Sequence, residues 1–217
     1  MWSAKVASGQ CCVAPVCAFA YCMAMNPRVV LFTRYPEPGR AKTRLIPAIG
    51  AERAAHVHRT LTEWTVQAVL ESGLALEVRA TGAPLEAFAE WLGATSLVDQ
   101  GAGDLGQRLA RAGPPYPTLF IGADAPDLTS DLLRNAANAL THADAVIGPA
   151  ADGGYWLLGL TRAVDGVFDG VDWGTRAVCG QTIERLLAAG IDPVLLPELA
   201  DCDRPEDLAR WPDLLRA

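Results

Sequence analysis

From Arg28 onward the chain alternates between short apolar runs and longer stretches whose apolar residues recur on one side of a helix. Val29–Thr33 carries no charge and is rich in β-branched residues, which predicts a buried strand. A Pro- and Gly-rich loop, Tyr35–Arg40, follows. Ala51–Glu71 has helical spacing, with Ala54, Ala55, Leu61, Trp64 and Ala68 on one side. Leu74–Ala80 reads as a strand, and Pro84–Leu92 as a helix opened by proline. Then come a strand at Ser96–Val98, a helix at Leu105–Arg111, a strand at Thr118–Ile121, a helix at Ser130–Leu140 and a strand at Ala145–Ile147. An apolar run, Gly154–Leu160, follows a double glycine. Thr175–Ala189 predicts a helix closed by Gly190, Val194–Leu196 a strand, and Pro205–Trp211 a last helix. Strands that alternate with helices predict an α/β fold of three layers, a mostly parallel central sheet with helices on both faces and right-handed crossovers. Ligands of such sheets sit outside the carboxyl ends of the strands.

The 217 residues suffice for one well-buried domain. We assign it to residues 26–217 and read 1–25 as a poorly ordered extension. Ala4–Met25 is apolar but broken by Ser8, Gly9, Gln10 and Pro15, so it lacks the uninterrupted run of a membrane span. It is also a weak match to a signal peptide. Met23 or Met25, just before the first strand, is the expected physiological start. Four of the six cysteines, Cys11, Cys12, Cys17 and Cys22, fall in this extension. Cys179 and Cys202 are far apart. No paired spacing suits zinc, and a chain with its own core needs no disulfide framework. The expectation is free thiols in a cytoplasmic protein.

The net charge of −7 argues against nucleic acid as a partner. Positive charge is nevertheless concentrated between Arg28 and Arg44, where Arg28, Arg34, Arg40, Lys42 and Arg44 face one Glu37. The chain has sixteen Arg and two Lys, so Lys42 stands out. In Phe32-Thr-Arg-Tyr-Pro-Glu-Pro-Gly-Arg-Ala-Lys-Thr-Arg-Leu45, Gly39 permits close backbone approach, Lys42 offers a compact charge and Arg44 a planar fork, all suited to phosphate. Leu119-Phe-Ile-Gly-Ala-Asp-Ala-Pro-Asp-Leu128 brings Asp124 to a strand end, where a carboxylate can hold a hard divalent cation. Asp127 reads as a cap of the next helix. In Asp201-Cys-Asp-Arg-Pro-Glu-Asp-Leu208, Glu206 and Asp207 are helix-start residues. Asp203 is the candidate second ligand, with Asp201 the fallback.

Gly148-Pro-Ala-Ala-Asp-Gly-Gly-Tyr-Trp-Leu157 contains a double glycine that implies special backbone angles or close ligand approach. Tyr155 could stack on a base or sugar, whereas Trp156 reads as core. Asp104-Leu-Gly-Gln-Arg108 and Asp172-Trp-Gly-Thr175 are weaker signals, each also readable as a helix start. His56 and His58, two apart on a helix, do not face each other and read as surface or core residues.

In this order the four main stretches resemble a bacterial GT-A-fold, glycosyltransferase-like family of the nucleotide-diphospho-sugar transferase superfamily, one branch of which is linked to arsenosugar biosynthesis. The similarity runs from about Arg28 to the C-terminus and extends, more distantly, to 2-phospholactate guanylyltransferase and molybdenum-cofactor nucleotidyltransferases. The first loop lacks the Gly-x-Gly-x-Arg-Met form of many sugar nucleotidyltransferases, which weighs against pyrophosphorylase chemistry. The resemblance implies Mg²⁺ or Mn²⁺ on Asp124 and Asp203, with Lys42 and Asp124 as catalytic residues. It also implies phosphate contacts from Lys42 and Arg44; with them, Arg34, Gly39 and Arg108 are our candidate nucleotide- or phosphate-binding residues, and Asp152, Gly153, Gly154, Tyr155 and Trp173 our candidate substrate-binding residues. The expected partners are a nucleotide or nucleotide-sugar and a small-molecule acceptor, with no membrane insertion. The expected activity is metal-dependent glycosyl transfer from a nucleotide-sugar. The alternatives are nucleotidyl transfer of guanylyl or cytidylyl type with release of pyrophosphate, and a non-catalytic nucleotide-sugar-binding protein.

Overall fold

The computed structural model describes residues 26–93 and 96–216. The expected extension over 1–25 lies outside the described residues. Seven strands form one sheet: β1 (Arg28–Arg34), β2 (Leu76–Thr81), β3 (Ser96–Asp99), β4 (Thr118–Ile121), β5 (Ala145–Pro149), β6 (Tyr155–Leu160) and β7 (Val194–Leu195). Their order is β3-β2-β1-β4-β6-β5-β7. β1 runs parallel to β2 and β4, β2 to β3, and β5 to β7. β6 alone is antiparallel to its neighbours. The turn that leads into it is too short for the crossover that a parallel partner requires.

The alternation of side chains along the strands builds two cores. Val29 and Leu31 of β1, with Leu119 and Ile121 of β4, face one side. There they pack on α2 (Ala51–Ser72) and α5 (Ser130–Ala139) through Val66, Val69, Leu133 and Ala136. Val30 and Phe120 face the other side and pack on α4 (Leu105–Ala112) and α6 (Val178–Ala188) through Leu109, Ala112 and Leu186. This is the period-2 pattern of strands buried on both faces. α3 (Leu85–Leu92) buries Phe88, whose ring meets Tyr35 edge to face at 5.5 Å.

The differences from expectation lie outside the sheet. Thr43–Leu45 is a 3-10 turn followed by a one-turn helix, α1 (Ile46–Ile49). The last helix is instead a pair of 3-10 turns, Pro205–Arg210 and Pro212–Leu215. Pro212 forbids an α-helix from running on through it. Their Leu208 and Leu214 join Leu45, Val57, Leu61 and Cys202 in a third, smaller core under the C-terminal segment. Trp64, expected on the buried stripe of α2, is 40% exposed. α6 starts at Val178 rather than Thr175, because Thr175 Oγ accepts from the Ala177 amide and donates to the Asp172 carbonyl. Residues 171–177 are thereby left as a loop. No helix among the described residues is long and apolar enough to cross a membrane.

The chain builds outward from β1 in one direction through β2 and β3, then returns to add β4 on the other side of β1. The carboxyl ends of β1 and β4 therefore flank a point where the connections diverge, the usual place for a ligand crevice in an α/β sheet.

Candidate active site

Three loops from separate strand ends meet at that point. The loop after β1 carries Lys42, the loop after β4 carries Asp124, and the segment after β7 carries Asp203. The Cys202 amide donates to the Asp124 carbonyl at 2.9 Å, so the C-terminal segment is tied by its backbone to the end of β4. The Asp207 carboxylate then accepts from the amides of Asp203 and Arg204 at 3.0 and 2.7 Å and fixes the turn that presents Asp203.

Lys42 lies at the centre. Its side chain is 3% exposed. Its ammonium donates to Asp124 Oδ1 at 2.6 Å, to the Cys202 carbonyl at 2.6 Å and to Asp203 Oδ1 at 3.3 Å. An ammonium has three N–H groups, and here three acceptors surround it. Burial alone would push the Lys42 pKa down, but the charges of Asp124 and Asp203 outweigh it and raise it. For Asp124, the surrounding protein would raise the carboxyl, and the Lys42 charge outweighs this and holds it below its usual range. The Asp124 side chain remains 57% exposed towards the crevice. The other oxygen of Asp203, Oδ2, pairs with the exposed Arg44 guanidinium. Lys42 adopts the left-handed conformation, φ 45° and ψ 47°, and is the only non-glycine residue with positive φ among those described.

Beneath the basic loop lies a buried polar group around His58, a core residue whose hydrogen-bond partners the sequence did not show. His58 Nε2 stands 3.0 Å from the Arg34 carbonyl and 3.3 Å from Thr33 Oγ, which also meets the Thr62 hydroxyl at 3.2 Å. Burial lowers the His58 pKa, and the hydrogen bond to Arg34 opposes this only in part. A sequence signal existed: His58, Thr62 and Thr65 recur at helical spacing within the buried stripe of α2. His56, by contrast, only meets Thr60 one turn along.

On the other side of Asp124 opens a cavity of about 310 Å³. Phe32, Leu105, Leu109, Phe120, Trp173 and Val178 form its apolar wall, and Asp124, Asp152, Gly154 and Tyr155 its polar end. Among the described residues, none of those lining it is basic. A smaller cavity of about 100 Å³ adjoins it, bounded by Asp124, Asp152 and Asp201. Burial, followed by the charge of Asp152, raises the Asp201 pKa.

The structure thus brings Lys42, Arg44, Asp124 and Asp203 together, and joins Asp124 to Asp152, Gly154, Tyr155 and Trp173 across one cavity. Arg34 and Gly39 lie on the exposed rim. Arg34 donates to the Arg40 carbonyl at 2.8 Å, and Gly39 has φ 83°. Arg108 stands apart. Its Nη1 donates to Gln100 Oε1 at 3.1 Å, and Gln100 in turn donates to the carbonyls of Thr33 and Arg79. Gly153 does not line the cavity. Its φ is 91°, and a Cβ there would fall 2.4 Å from the Arg176 carbonyl, so glycine is required by the passing chain. Asp104 caps α4 with a reciprocal bond from Gln107. Asp127 does not cap α5, whose cap is Thr129; it accepts from Trp211 Nε1 at 2.9 Å. Trp156 is core, its indole donating to the Pro197 carbonyl. Cys179 and Cys202 are free thiols, both pushed up by burial, Cys202 to about 11.

The donor set suits a hard cation, because two carboxylates already hold a positive charge between them in the form of Lys42. Among the described residues no group of three or more His, Cys, Asp or Glu is close enough to hold a metal ion by itself.

Residues 60–175, more than half of the chain, match a family model described as "Uncharacterized protein conserved in bacteria (DUF2064)". The chain belongs to the DUF2064 family. A solved structure from Desulfovibrio desulfuricans G20, described as a "putative nucleotide-diphospho-sugar transferase", is 30% identical. It superposes with a TM-score of 0.78, the match covering 88% of this DUF2064 chain and 97% of that one. Two others share the fold at lower identity. 2-C-methyl-D-erythritol 4-phosphate cytidylyltransferase from Thermus thermophilus is 18% identical, with TM-score 0.54 over 89% of this chain and 100% of that one. Rv0371c from Mycobacterium tuberculosis H37Rv, in complex with manganese, is 20% identical, with TM-score 0.50 over 88% and 98%. No curated protein matches the sequence significantly. The fold is that of the nucleotide-diphospho-sugar transferases, and it groups this DUF2064 protein with enzymes of the glycosyl- or nucleotidyl-transfer type.

Proposed function

We propose that this DUF2064 protein is a metal-dependent transferase that moves a sugar from a nucleotide-sugar to a small acceptor. The observation that carries the reading is the position of Asp124, which stands between a crevice built around positive charge and an apolar-walled cavity. A nucleotide-sugar has the same two-part chemistry, a diphosphate joined to a neutral ring. In this reading Asp124 and Asp203 hold Mg²⁺ or Mn²⁺, and the exposed guanidinium groups of Arg44 and Arg34 receive the diphosphate. Gly39 lets the rim backbone approach it. The metal, when bound, neutralises the leaving diphosphate. Gly154, Tyr155 and Trp173 enclose the sugar or the acceptor. Asp152, at the polar end of the cavity, accepts the proton of the acceptor hydroxyl as its oxygen bonds to the anomeric carbon and the bond from that carbon to the diphosphate breaks. Arg108 holds the Gln100 loop in shape instead of touching phosphate.

Among the described residues none of those lining the cavity is basic, which favours glycosyl transfer over the runner-up, since a phosphorylated acid would meet Asp152 and no basic side chain there. Nucleotidyl transfer remains the second reading because the Thermus thermophilus neighbour is a cytidylyltransferase. Thermal-shift screening of nucleotides and nucleotide-sugars with Mn²⁺ identifies the donor, and product analysis then decides. Nucleoside diphosphate release is expected. Pyrophosphate release would establish nucleotidyl transfer instead, and ligand-induced stabilisation without turnover would establish a binding protein.

A further inference from the structure

The sequence points Lys42 at the phosphates, yet all three of its acceptors are supplied by the protein. Its ammonium lies 2.6 Å from Asp124 Oδ1 and 3.3 Å from Asp203 Oδ1, in the gap between the two carboxylates proposed as metal ligands. A divalent cation lies about 2.0–2.6 Å from its oxygen ligands. An ammonium and a cation bridging the same two oxygens would then overlap and repel each other. One group cannot hold that gap while the other occupies it, and Lys42 cannot serve a phosphate while it does.

We propose that Lys42 is a built-in stand-in for the metal: its ammonium fills the place between Asp124 and Asp203, withdraws when the cation enters, and is thereby freed to reach the diphosphate. This rests on the reading of Asp124 and Asp203 as metal ligands. Three further features support it. Lys42 is held in a left-handed backbone conformation that L-residues rarely adopt, so the resting pairing is maintained against a local preference for another conformation. Ala41, just before it, is buried, but Gly39 and Arg40 one step further out are exposed and the space around Gly39 is open, so the ammonium can swing away while the loop stays anchored at Ala41. Asp203 also keeps a second partner, Arg44, so the carboxylate stays in place when the ammonium leaves. Without metal, the ammonium stops the two carboxylates from repelling each other and keeps the three loops joined.

The scarcity of lysine makes this directly measurable. Labelling with ¹⁵N-lysine marks only two side-chain nitrogens, at Lys5 and Lys42, and Lys5→Arg assigns the pair. A buried, hydrogen-bonded ammonium gives a protected proton–nitrogen correlation. Titration of the wild-type protein with Mg²⁺ alone is expected to abolish that of Lys42 in step with binding measured by calorimetry. In parallel, Lys42→Met, which removes the competitor, is expected to bind Mn²⁺ on the order of tenfold more tightly than wild type. A Lys42 correlation that persists at saturating Mg²⁺, or equal Mn²⁺ affinity in wild type and Lys42→Met, would overturn the stand-in and leave the metal reading intact. No binding of Mg²⁺ or Mn²⁺ to either protein would overturn the metal reading itself, and the stand-in with it.

Discussion

The two sides of Asp124 are built in opposite ways. On one side the buried Lys42 ammonium is met by Asp124, Asp203 and the Cys202 carbonyl, all within the protein. On the other, Phe32, Phe120 and Trp173 face an open cavity whose only charged residues, among those described, are carboxylates. The first side has the character of a joint that holds loops together; the second has unmet apolar surface, the mark of a place made for a ligand. A charged residue in a sequence therefore need not be free to meet a ligand at rest. Its partners decide, and those of Lys42 lie within the chain.

Substitutions on the two sides should separate stability from binding. The largest stability effect is expected from Lys42→Met, which leaves the Cys202 carbonyl unpaired and two carboxylates unneutralised. Unfolding free energy should fall by about 2 kcal/mol, less than for a fully buried pair because Asp124 is open to the crevice. The pH dependence carries the sign. The raised Lys42 pKa contributes stability that is full below its unfolded value of about 10.4 and is lost as pH rises through the folded value. The lowered Asp124 pKa contributes stability present above its unfolded value of about 3.9 and lost as pH falls through the folded value. Denaturant titrations should show both arms in wild type and neither in Lys42→Met. A flat wild-type profile would mean that the joint is not holding.

Trp173→Leu should do the reverse. Leucine keeps apolar contact with Phe168, so the melting temperature should hold, while ligand affinity falls about tenfold by calorimetry. A large loss of stability with unchanged affinity would assign Trp173 to the core. The smallest effect on folding is expected from Arg44→Ala. Its side chain is 58% exposed, so stability should change by less than about 1 kcal/mol. Affinity for a nucleoside diphosphate should fall several-fold and become less sensitive to salt. Equal losses for the diphosphate and the nucleoside would move the phosphate away from this rim.

The sheet was legible in the sequence because strands buried on both faces announce themselves, as Val29–Thr33 and Thr118–Ile121 do. The direction of β6 was not, since an apolar run behind Gly153-Gly154 looks the same in either orientation and only the short turn decides it. The last helix misled because Pro205, Glu206 and Asp207 are genuine helix-start residues, and Pro212 cuts the turn short. In the candidate site, the place of Asp124 at a strand end was legible in the sequence. The pairing of Lys42 was not, because its partner Asp203 lies 161 residues away in sequence. Residue type could tell that Lys42 was unusual, but not which acceptors it would meet. Arg108 misled in the same way, since its partner Gln100 carries no charge and left no trace in the charge pattern.

The central claim is that Asp124 joins the metal-binding crevice to the substrate cavity. Calorimetry of the nucleotide-sugar chosen by the thermal screen, with Mn²⁺, on wild type and Asp124→Asn tests it most directly. The account predicts that the substitution weakens Mn²⁺-dependent binding roughly 100-fold, about 2.7 kcal/mol, while the protein stays folded. Equal affinity in the two proteins, or wild-type affinity indifferent to Mn²⁺, would contradict it.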